Sequence, residues 1–326
     1  MAEMSDWEFP AELQPQPGDF HFDLQETMDA MVLIRAEVPE DAFTAQNLGT
    51  DRAGNGVVIR EGGIVLTIGY IITEANSIWI TTNRGEVVPG YALAYDQASG
   101  LGLVQALGRL KAPALQRGSA RDCSVNDQVL VAGHGGRAHS LKARITGKRE
   151  FAGAWEYLLD EAIFTAPAHP QWGGSALVGD EGKLMGIGSL LVQESEKGAK
   201  EAVQGNMMVP IDLLEPILED LLTLGRPKGP VRPWLGLFAN EVSGRLLVGG
   251  VARGGPAQKA SVHVGDVVME VAGQRVATLV DFFRAVWRLG PAGTEIPLTV
   301  ARRGSVSEVR VKSGDRNDFL KKPHFH

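Results

Sequence analysis

The middle of the chain alternates short apolar runs with glycine, asparagine and aspartate. From Gly56 onward, such runs occupy residues 57–59, 64–67, 78–81, 87–88 and 128–132. Short runs separated by turn-forming residues are typical of strands in antiparallel β-barrels. The pattern therefore predicts a mainly β fold for this part of the chain.

A helical period appears only after this region. Between residues 211 and 224, leucines and isoleucines recur at spacings of three and four, which predicts a helix with one buried face. Residues 225–232 are rich in proline and glycine, and such a composition is typical of a stiff, exposed linker. We therefore expect a domain boundary there, with domains at 30–224 and 233–313 and a C-terminal tail at 314–326.

The first 29 residues contain eight acidic residues and no lysine or arginine, which is typical of a solvated tail. They also contain Trp7, Phe9, Phe20 and Phe22, although disordered segments are usually poor in aromatic residues. The aromatic side chains therefore predict that this segment is buried against some surface.

Composition excludes several classes of function. The chain has 326 residues and a net charge of −7, which argues against binding to nucleic acid or to an anionic membrane. Cys123 is the only cysteine, and the seven histidines show no metal-ligating spacing, so we expect no disulfide, no metal and no cofactor. No apolar run is long enough to span a membrane.

The first residues have no basic start followed by an apolar run, as an export signal would. We therefore expect a cytoplasmic protein. A periplasmic location would follow if the sequence lacked its true start.

Several segments carry a resemblance to one family. Residues 54–59 resemble the opening strand G-S-G-V-I-I of HtrA-type serine proteases, residues 66–72 resemble L-T-N-x-H-V-V, and residues 96–104 resemble D-P-x-x-D-L-A-V-L. Residues 165–177 resemble T-D-A-x-I-N-P-G-N-S-G-G-A/P-L, which carries the nucleophile in that family. The resemblance implies a trypsin-like double antiparallel β-barrel.

The same register places all three members of the Ser-His-Asp triad on other residues. The serine position falls on Gly173, the histidine position on Tyr70 and the aspartate position on Gly100. Glycine offers no nucleophile, and a phenol with a pKa near 10 is a poor general base at neutral pH. The resemblance therefore implies a protease fold without catalysis, which is a pseudoprotease.

Residues 233–313 resemble a PDZ domain, a small β-barrel with two helices. Residues 234–237 stand at the carboxylate-binding turn, and residues 255–268 follow S-P-A-x-x-A-G-L-x-x-G-D-V-I. The resemblance implies that backbone N–H groups capture a terminal carboxylate and that the peptide adds as a strand. The peptide-binding residues expected from it are Trp234, Leu235, Gly236, Leu237, Phe282 and Ala285.

We expect a scaffold that binds C-terminal or extended peptides of other proteins, assembled as a homotrimer through its N-terminal segment, as family members commonly are. One alternative is a working endopeptidase with relocated residues, in which Ser175 acts with His169 or His134. A second alternative is a structural subunit that assembles with an active HtrA-type protease.

Overall fold

The computed structural model describes residues 7–194 and 203–322, which form two compact units. The first unit comprises the described residues up to Arg149, those from Glu161 to Pro227, and Lys322. The second unit comprises Lys228–Lys321 and also Glu150–Asp160, a short segment from the middle of the chain. The charged composition of residues 194–201 predicts a solvated hairpin loop, but this run lies almost wholly outside the described residues.

The first unit contains two closed antiparallel barrels. The first barrel has the strand order β1-β2-β3-β6-β5-β4. Its strands are β1 (Met31–Glu37), β2 (Asp51–Arg60), β3 (Ile64–Ile68), β4 (Ser77–Thr82), β5 (Val87–Tyr95) and β6 (Leu101–Ala106). The apolar runs at 57–59 and 64–67 lie in β2 and β3, where all their residues are buried, so the predicted mainly β fold is confirmed.

The second barrel has the order β10-β11-β12-β9-β8-β7. Its strands are β7 (Gln128–Ala132), β8 (Ser140–Gly153), β9 (Tyr157–Ala166), β10 (Ala176–Val178), β11 (Leu184–Glu194) and β12 (Val203–Pro210). A turn at residues 154–156 joins β8 to β9, and this turn lies within the segment that belongs to the second unit.

The second unit is built on an antiparallel sheet with the order β13-β14-β15-β17-β18, in which β16 pairs with β15. Its strands are β13 (Leu237–Val242), β14 (Arg245–Val251), β15 (Val267–Val271), β16 (Gln274–Arg275), β17 (Glu295–Arg302) and β18 (Ser305–Lys312). The helices α5 (Pro256–Lys259) and α6 (Leu279–Arg288) accompany the sheet. The Thr278 side chain accepts a hydrogen bond from the Asp281 N–H and so caps α6.

In the part of the first unit that the structure describes, there are four short helices and three 3₁₀ turns. The helices are α1 (Leu24–Asp29), α2 (Ala45–Leu48), α3 (Gly69–Ile72) and α4 (Leu218–Leu224). The 3₁₀ turns are Ala120–Asp122, Gly136–His139 and Ile211–Leu213, and the second unit adds Arg316–Phe319. The helix predicted over 211–224 was too long, because Pro216 lacks an N–H and disfavours the helical conformation of the residue before it.

The aromatic residues of the N-terminal segment pack on their own chain. Phe9 and Phe20 are buried, and Phe9 belongs to the core of the second barrel. The Phe9 N–H donates to the Ala138 carbonyl at 2.9 Å, and the Trp7 ring lies edge-on to the His139 ring at 4.8 Å. The segment is therefore not a solvated tail from Trp7 onward.

Candidate functional site

Tyr70 lies in α3, directly after β3. Its hydroxyl donates a hydrogen bond to the Ser189 carbonyl at 2.9 Å. Burial raises the pKa of Tyr70 far above its ordinary value of 10. The phenol therefore holds its proton at neutral pH and cannot serve there as a general base.

Gly173 lies opposite this hydroxyl, in the turn between β9 and β10. Its carbonyl accepts the N–H of Asn55 at 2.7 Å, which ties the turn to β2. A Cβ placed on Gly173 would lie 2.8 Å from the Tyr70 hydroxyl oxygen. The tyrosine hydroxyl thus fills the space into which a side chain at position 173 would point.

Gly100 lies beside the same helix. Its carbonyl accepts the N–H of Gly69 at 2.7 Å, one residue before Tyr70, and its φ is +79°. Asp96 serves only its own turn, where its carboxylate accepts the Ser99 N–H at 2.8 Å and the Ser99 hydroxyl at 2.7 Å. The structure therefore gathers the three positions assigned from the resemblance around α3.

The alternative residues Ser175, His169 and His134 each have separate partners. Ser175 is fully buried, and its hydroxyl donates to the Trp172 carbonyl at 2.9 Å. The Nε2 atom of His169 lies 2.8 Å from the His139 carbonyl, and that of His134 lies 3.3 Å from the Thr82 carbonyl. Within residues 7–194 and 203–322, Ser175 makes no hydrogen bond to a histidine.

Burial lowers the pKa of His169 to about 4 and also lowers the pKa of His134. The Nδ1 atom of His169 accepts the N–H of Gln171 at 3.1 Å. In trypsin-like enzymes the oxyanion is bound by the N–H of the nucleophile and the N–H two residues before it, which here is Gln171. In this protein the Gln171 N–H donates to the His169 ring instead.

Asn55 holds the turn in this conformation. Its Nδ2 donates to the Gln171 carbonyl at 2.7 Å, and its Oδ1 accepts the His134 N–H at 2.8 Å. The Thr67 hydroxyl donates to the Asn55 carbonyl at 2.7 Å. Because Asn55 is buried and each of these bonds is made inside the protein, the turn is fixed from several directions.

In the second unit, the turn at residues 234–237 presents backbone donors while its side chains are buried. Trp234 contacts the Phe319 ring, with 4.7 Å between ring centroids. Leu235 and Leu237 belong to the apolar core, and Gly236 has a φ of +68° that favours glycine. Phe282 and Ala285 of α6 are buried in the same core.

Glu156 binds the backbone N–H groups of this turn. Its Oε1 lies 2.7 Å from the Gly236 nitrogen and 3.1 Å from each of the Leu235 and Leu237 nitrogens. Its Oε2 lies 3.0 Å from the Leu235 nitrogen. Burial raises the pKa of Glu156 to about 7, against the opposing effect of these hydrogen bonds and of Arg316.

Sequence reasoning missed Glu156. The local signal is an acid between Trp155 and Tyr157, in a turn that follows Gly153. Nothing in that pattern connects the acid to a glycine turn 80 residues later, at Gly236. Arg232 precedes the turn in sequence, and its guanidinium lies 4.2 Å from the centroid of the Trp287 ring.

Within the described residues, no group of three or more His, Cys, Asp or Glu side chains is placed to hold a metal ion. Within the same ranges, no helix has both the length and the apolar character that a bilayer crossing requires.

Comparison with family models finds two matches. Residues 54–187 match a trypsin-like peptidase domain, and residues 233–313 match a PDZ domain. The first match contains Tyr70, Gly100 and Gly173. The second match contains the turn whose N–H groups donate to Glu156.

Several curated relatives are described as serine endoproteases. A probable periplasmic serine endoprotease DegP-like from Halomonas elongata is 26% identical over 282 residues, which cover 82% of this chain and 57% of the relative. The serine endoprotease DegS from Haemophilus influenzae is 22% identical over 280 residues, which cover 81% of this chain and 77% of the relative. The chain thus spans little more than half the length of the DegP-like relatives that it matches.

A solved structure of the HtrA-type protease AlgW with a decapeptide has a similar fold. It is 18% identical and covers 93% of this chain and 100% of its own, with a TM-score of 0.53. The expected trypsin-like and PDZ folds are therefore confirmed.

The expected cytoplasmic location is wrong. Several relatives are described as periplasmic serine endoproteases, which points to the periplasm. The expectation rested on the composition of the first residues, which was a poor guide to location.

Proposed function

Because the chain belongs to the HtrA-type family of trypsin-like proteases with a PDZ domain, we propose that it is a periplasmic pseudoprotease that binds peptides without cleaving them. The observation that carries the proposal is the position of the Tyr70 hydroxyl, 2.8 Å from the place where a Cβ on Gly173 would stand. At the three assigned positions the protein has no nucleophile, base or orienting acid.

Two further contacts support the loss of catalysis. The Gln171 N–H is engaged by His169, so the donor pair that would stabilise an oxyanion is incomplete. Asn55 then holds the turn in this conformation through bonds to Gln171 and Gly173. Restoring one side chain therefore leaves the rest of the catalytic arrangement unformed.

The relocated active site is the weaker candidate. Ser175 is 0% exposed, and its hydroxyl donates to its own turn, so a substrate carbonyl has no access to it. A general base must also be within hydrogen-bonding reach of the proton that it abstracts, and His169 is bonded to the His139 carbonyl instead.

Peptide binding is proposed for the PDZ domain, with the backbone N–H groups of Leu235, Gly236 and Leu237 as the carboxylate receptor. The convergence of three N–H groups on one carboxylate oxygen supports this role, because it is the arrangement that captures peptide C-termini. The buried side chains of Trp234, Phe282 and Ala285 shape this region from within the fold. The AlgW structure with a decapeptide shows that a protein of similar fold binds peptides.

The homotrimer is a separate part of the proposal. Phe9 and Phe20 are already buried on their own chain, so only the partly exposed Trp7 and Phe22 would remain for a neighbouring copy. Light scattering on the full chain tests it, and a monomeric mass would exclude it. A role as structural subunit of an active HtrA-type protease stays an alternative, which co-purification with such a protease would favour.

Active-site labelling tests the loss of catalysis. The full chain is incubated with a fluorophosphonate probe beside an active trypsin-like protease, and we expect no labelling of this chain. Labelling that disappears in Ser175→Ala would contradict the proposal and establish the relocated site.

A further inference from the structure

Glu156 occupies the position in which a PDZ domain would hold the carboxylate of a peptide. Its side chain is buried, and four donor-acceptor distances of 2.7 to 3.1 Å join it to the N–H groups of the turn. When ionised, a side-chain carboxylate has the same charge and the same two acceptor oxygens as a terminal carboxylate. The two groups therefore compete for the same donors.

The backbone at Glu156 is arranged for this contact. Its φ is +61°, in the left-handed region that non-glycine residues seldom adopt. Strain of this kind persists only where the surroundings hold the residue in place, and it concentrates at functional sites. The hydrogen bonds to the turn are the interaction that compensates for it here.

The segment that carries Glu156 is also anchored on either side. Leu158 is buried in the core of the second unit together with Leu235 and Leu237, and Ala152 packs against that core. Arg284 of α6 forms ion pairs with Glu150 and, at 2.8 Å, with Asp160. All of these contacts lie inside the second unit. The segment Glu150–Asp160 therefore holds Glu156 beside the turn at residues 235–237, as a linker would hold a tethered ligand.

We propose that Glu156 is an internal ligand of the carboxylate-binding turn, and that it keeps this turn closed to free C-termini until the segment Glu150–Asp160 is displaced. The proposal rests on the proposed peptide-binding function and adds its regulation. An internal competitor acts at a high effective concentration, so an external peptide must compete with it for every N–H group.

The occupant that displaces Glu156 is a peptide with a free C-terminal carboxylate. An amidated peptide lacks the charge that the turn accepts. The Arg284 ion pairs hold the segment without touching the turn, so loosening them would favour displacement while leaving the receptor intact.

The test measures binding of fluorescein-labelled nonapeptides ending in Val, Leu or Phe to the full chain by fluorescence polarisation. Glu156→Ala frees the donors, and we expect at least a tenfold gain in affinity over the parent chain. The same peptides with an amidated C-terminus should lose most of this gain. Arg284→Ala should give a smaller gain, since Glu156 itself is still present.

Glu161→Ala is the matched control, because Glu161 lies in the same strand pair, is about half exposed and pairs with Lys148 in the first unit. It should leave affinity unchanged. Circular dichroism establishes that each variant is folded. If Glu156→Ala does not fold, the same comparison is made with Arg284→Ala and with Glu156→Gln, which removes the charge and replaces one acceptor oxygen by an NH2 donor.

Hydrogen exchange of the turn provides a readout that needs no peptide. The amides of residues 235–237 should be protected in the parent chain and exchange faster in Glu156→Ala, with peptide restoring the protection. Fast exchange of these amides in the parent chain would overturn the proposal.

The binding results distinguish a failure of the internal ligand from a failure of the peptide-binding function. Equal, tight binding by parent and variant would overturn the internal ligand and leave the peptide-binding function standing. No binding by either folded protein would overturn both.

Discussion

Substituting Gly173 by alanine should reveal whether the Tyr70 hydroxyl fills the nucleophile space, which is the space beside Gly173 that the resemblance assigns to a nucleophile. The new Cβ would stand 2.8 Å from the hydroxyl oxygen, well inside the 3.4–4 Å of ordinary van der Waals contact. Tyr70 cannot withdraw freely, because its hydroxyl is bonded to the Ser189 carbonyl. We expect overpacking to lower the free energy of unfolding by about 2 kcal/mol.

The close contact involves a single atom, the Tyr70 hydroxyl oxygen, so removing that atom should abolish the loss of unfolding free energy. In Tyr70→Phe the nearest ring atom is the former hydroxyl-bearing carbon, which lies 3.6 Å from the same Cβ, an ordinary contact distance. The effect of Gly173→Ala in that background should then be below about 0.5 kcal/mol, the size of an ordinary tolerated substitution. A double-mutant cycle should report a coupling of about 1.5 kcal/mol.

Urea unfolding of the four proteins gives the coupling. Gly18→Ala is the control, because a Cβ there meets nothing within 4 Å, and its effect should be the same with Tyr70 or Phe at position 70. If Gly173→Ala costs the same in both backgrounds, the tyrosine hydroxyl does not occupy the nucleophile space and the argument fails.

Three other predictions follow from separate contacts. The pKa of Glu156 is raised from its ordinary 4.5 to about 7, so the stability it contributes is fully present below pH 4.5 and is lost as pH rises to about 7. Over that window the unfolding free energy of the parent chain should fall relative to that of Glu156→Gln, which keeps the neighbouring charges of Arg316, Arg284, Glu150 and Asp160. Parallel curves of unfolding free energy against pH would refute this prediction. Phe9→Ala should cost about 3 kcal/mol in urea unfolding, whereas the exposed Glu8→Ala should cost little; equal effects would show that the segment is not packed as described. We expect casein to remain uncut by a variant that combines Tyr70→His, Gly100→Asp and Gly173→Ser. Gly100 has a φ of +79°, which disfavours aspartate, and the Gln171 N–H is hydrogen-bonded to His169. Cleavage of casein would show that the cleft remains shaped for catalysis.

Sequence reasoning succeeded where the information was local. The apolar runs within β2 and β3 predicted strands because alternating short runs and turns are a property of neighbouring residues. The motif register assigned the triad positions to Tyr70, Gly100 and Gly173. This assignment stays a prediction, and the structure places the three residues around α3. The helix at 211–224 failed because the leucine spacing was weighed without Pro216.

The remaining features depend on contacts between distant parts of the chain. Glu156 and Gly236 are 80 residues apart, and no local pattern marks one as the partner of the other. The same holds for Phe9, whose burial depends on a barrel formed more than a hundred residues later. Aromatic residues indicated that the N-terminal segment needed a surface, but composition alone did not show that its own chain provides one.

The most direct test of the central claim is a search for cleavage of any kind. The full chain is incubated with a mixture of folded and denatured proteins, and new peptide termini are identified by mass spectrometry against a sample without the chain. We expect no new termini above that background. New termini that appear with the parent chain and vanish with Ser175→Ala or His169→Ala would contradict the account and show that the fold still hydrolyses peptide bonds.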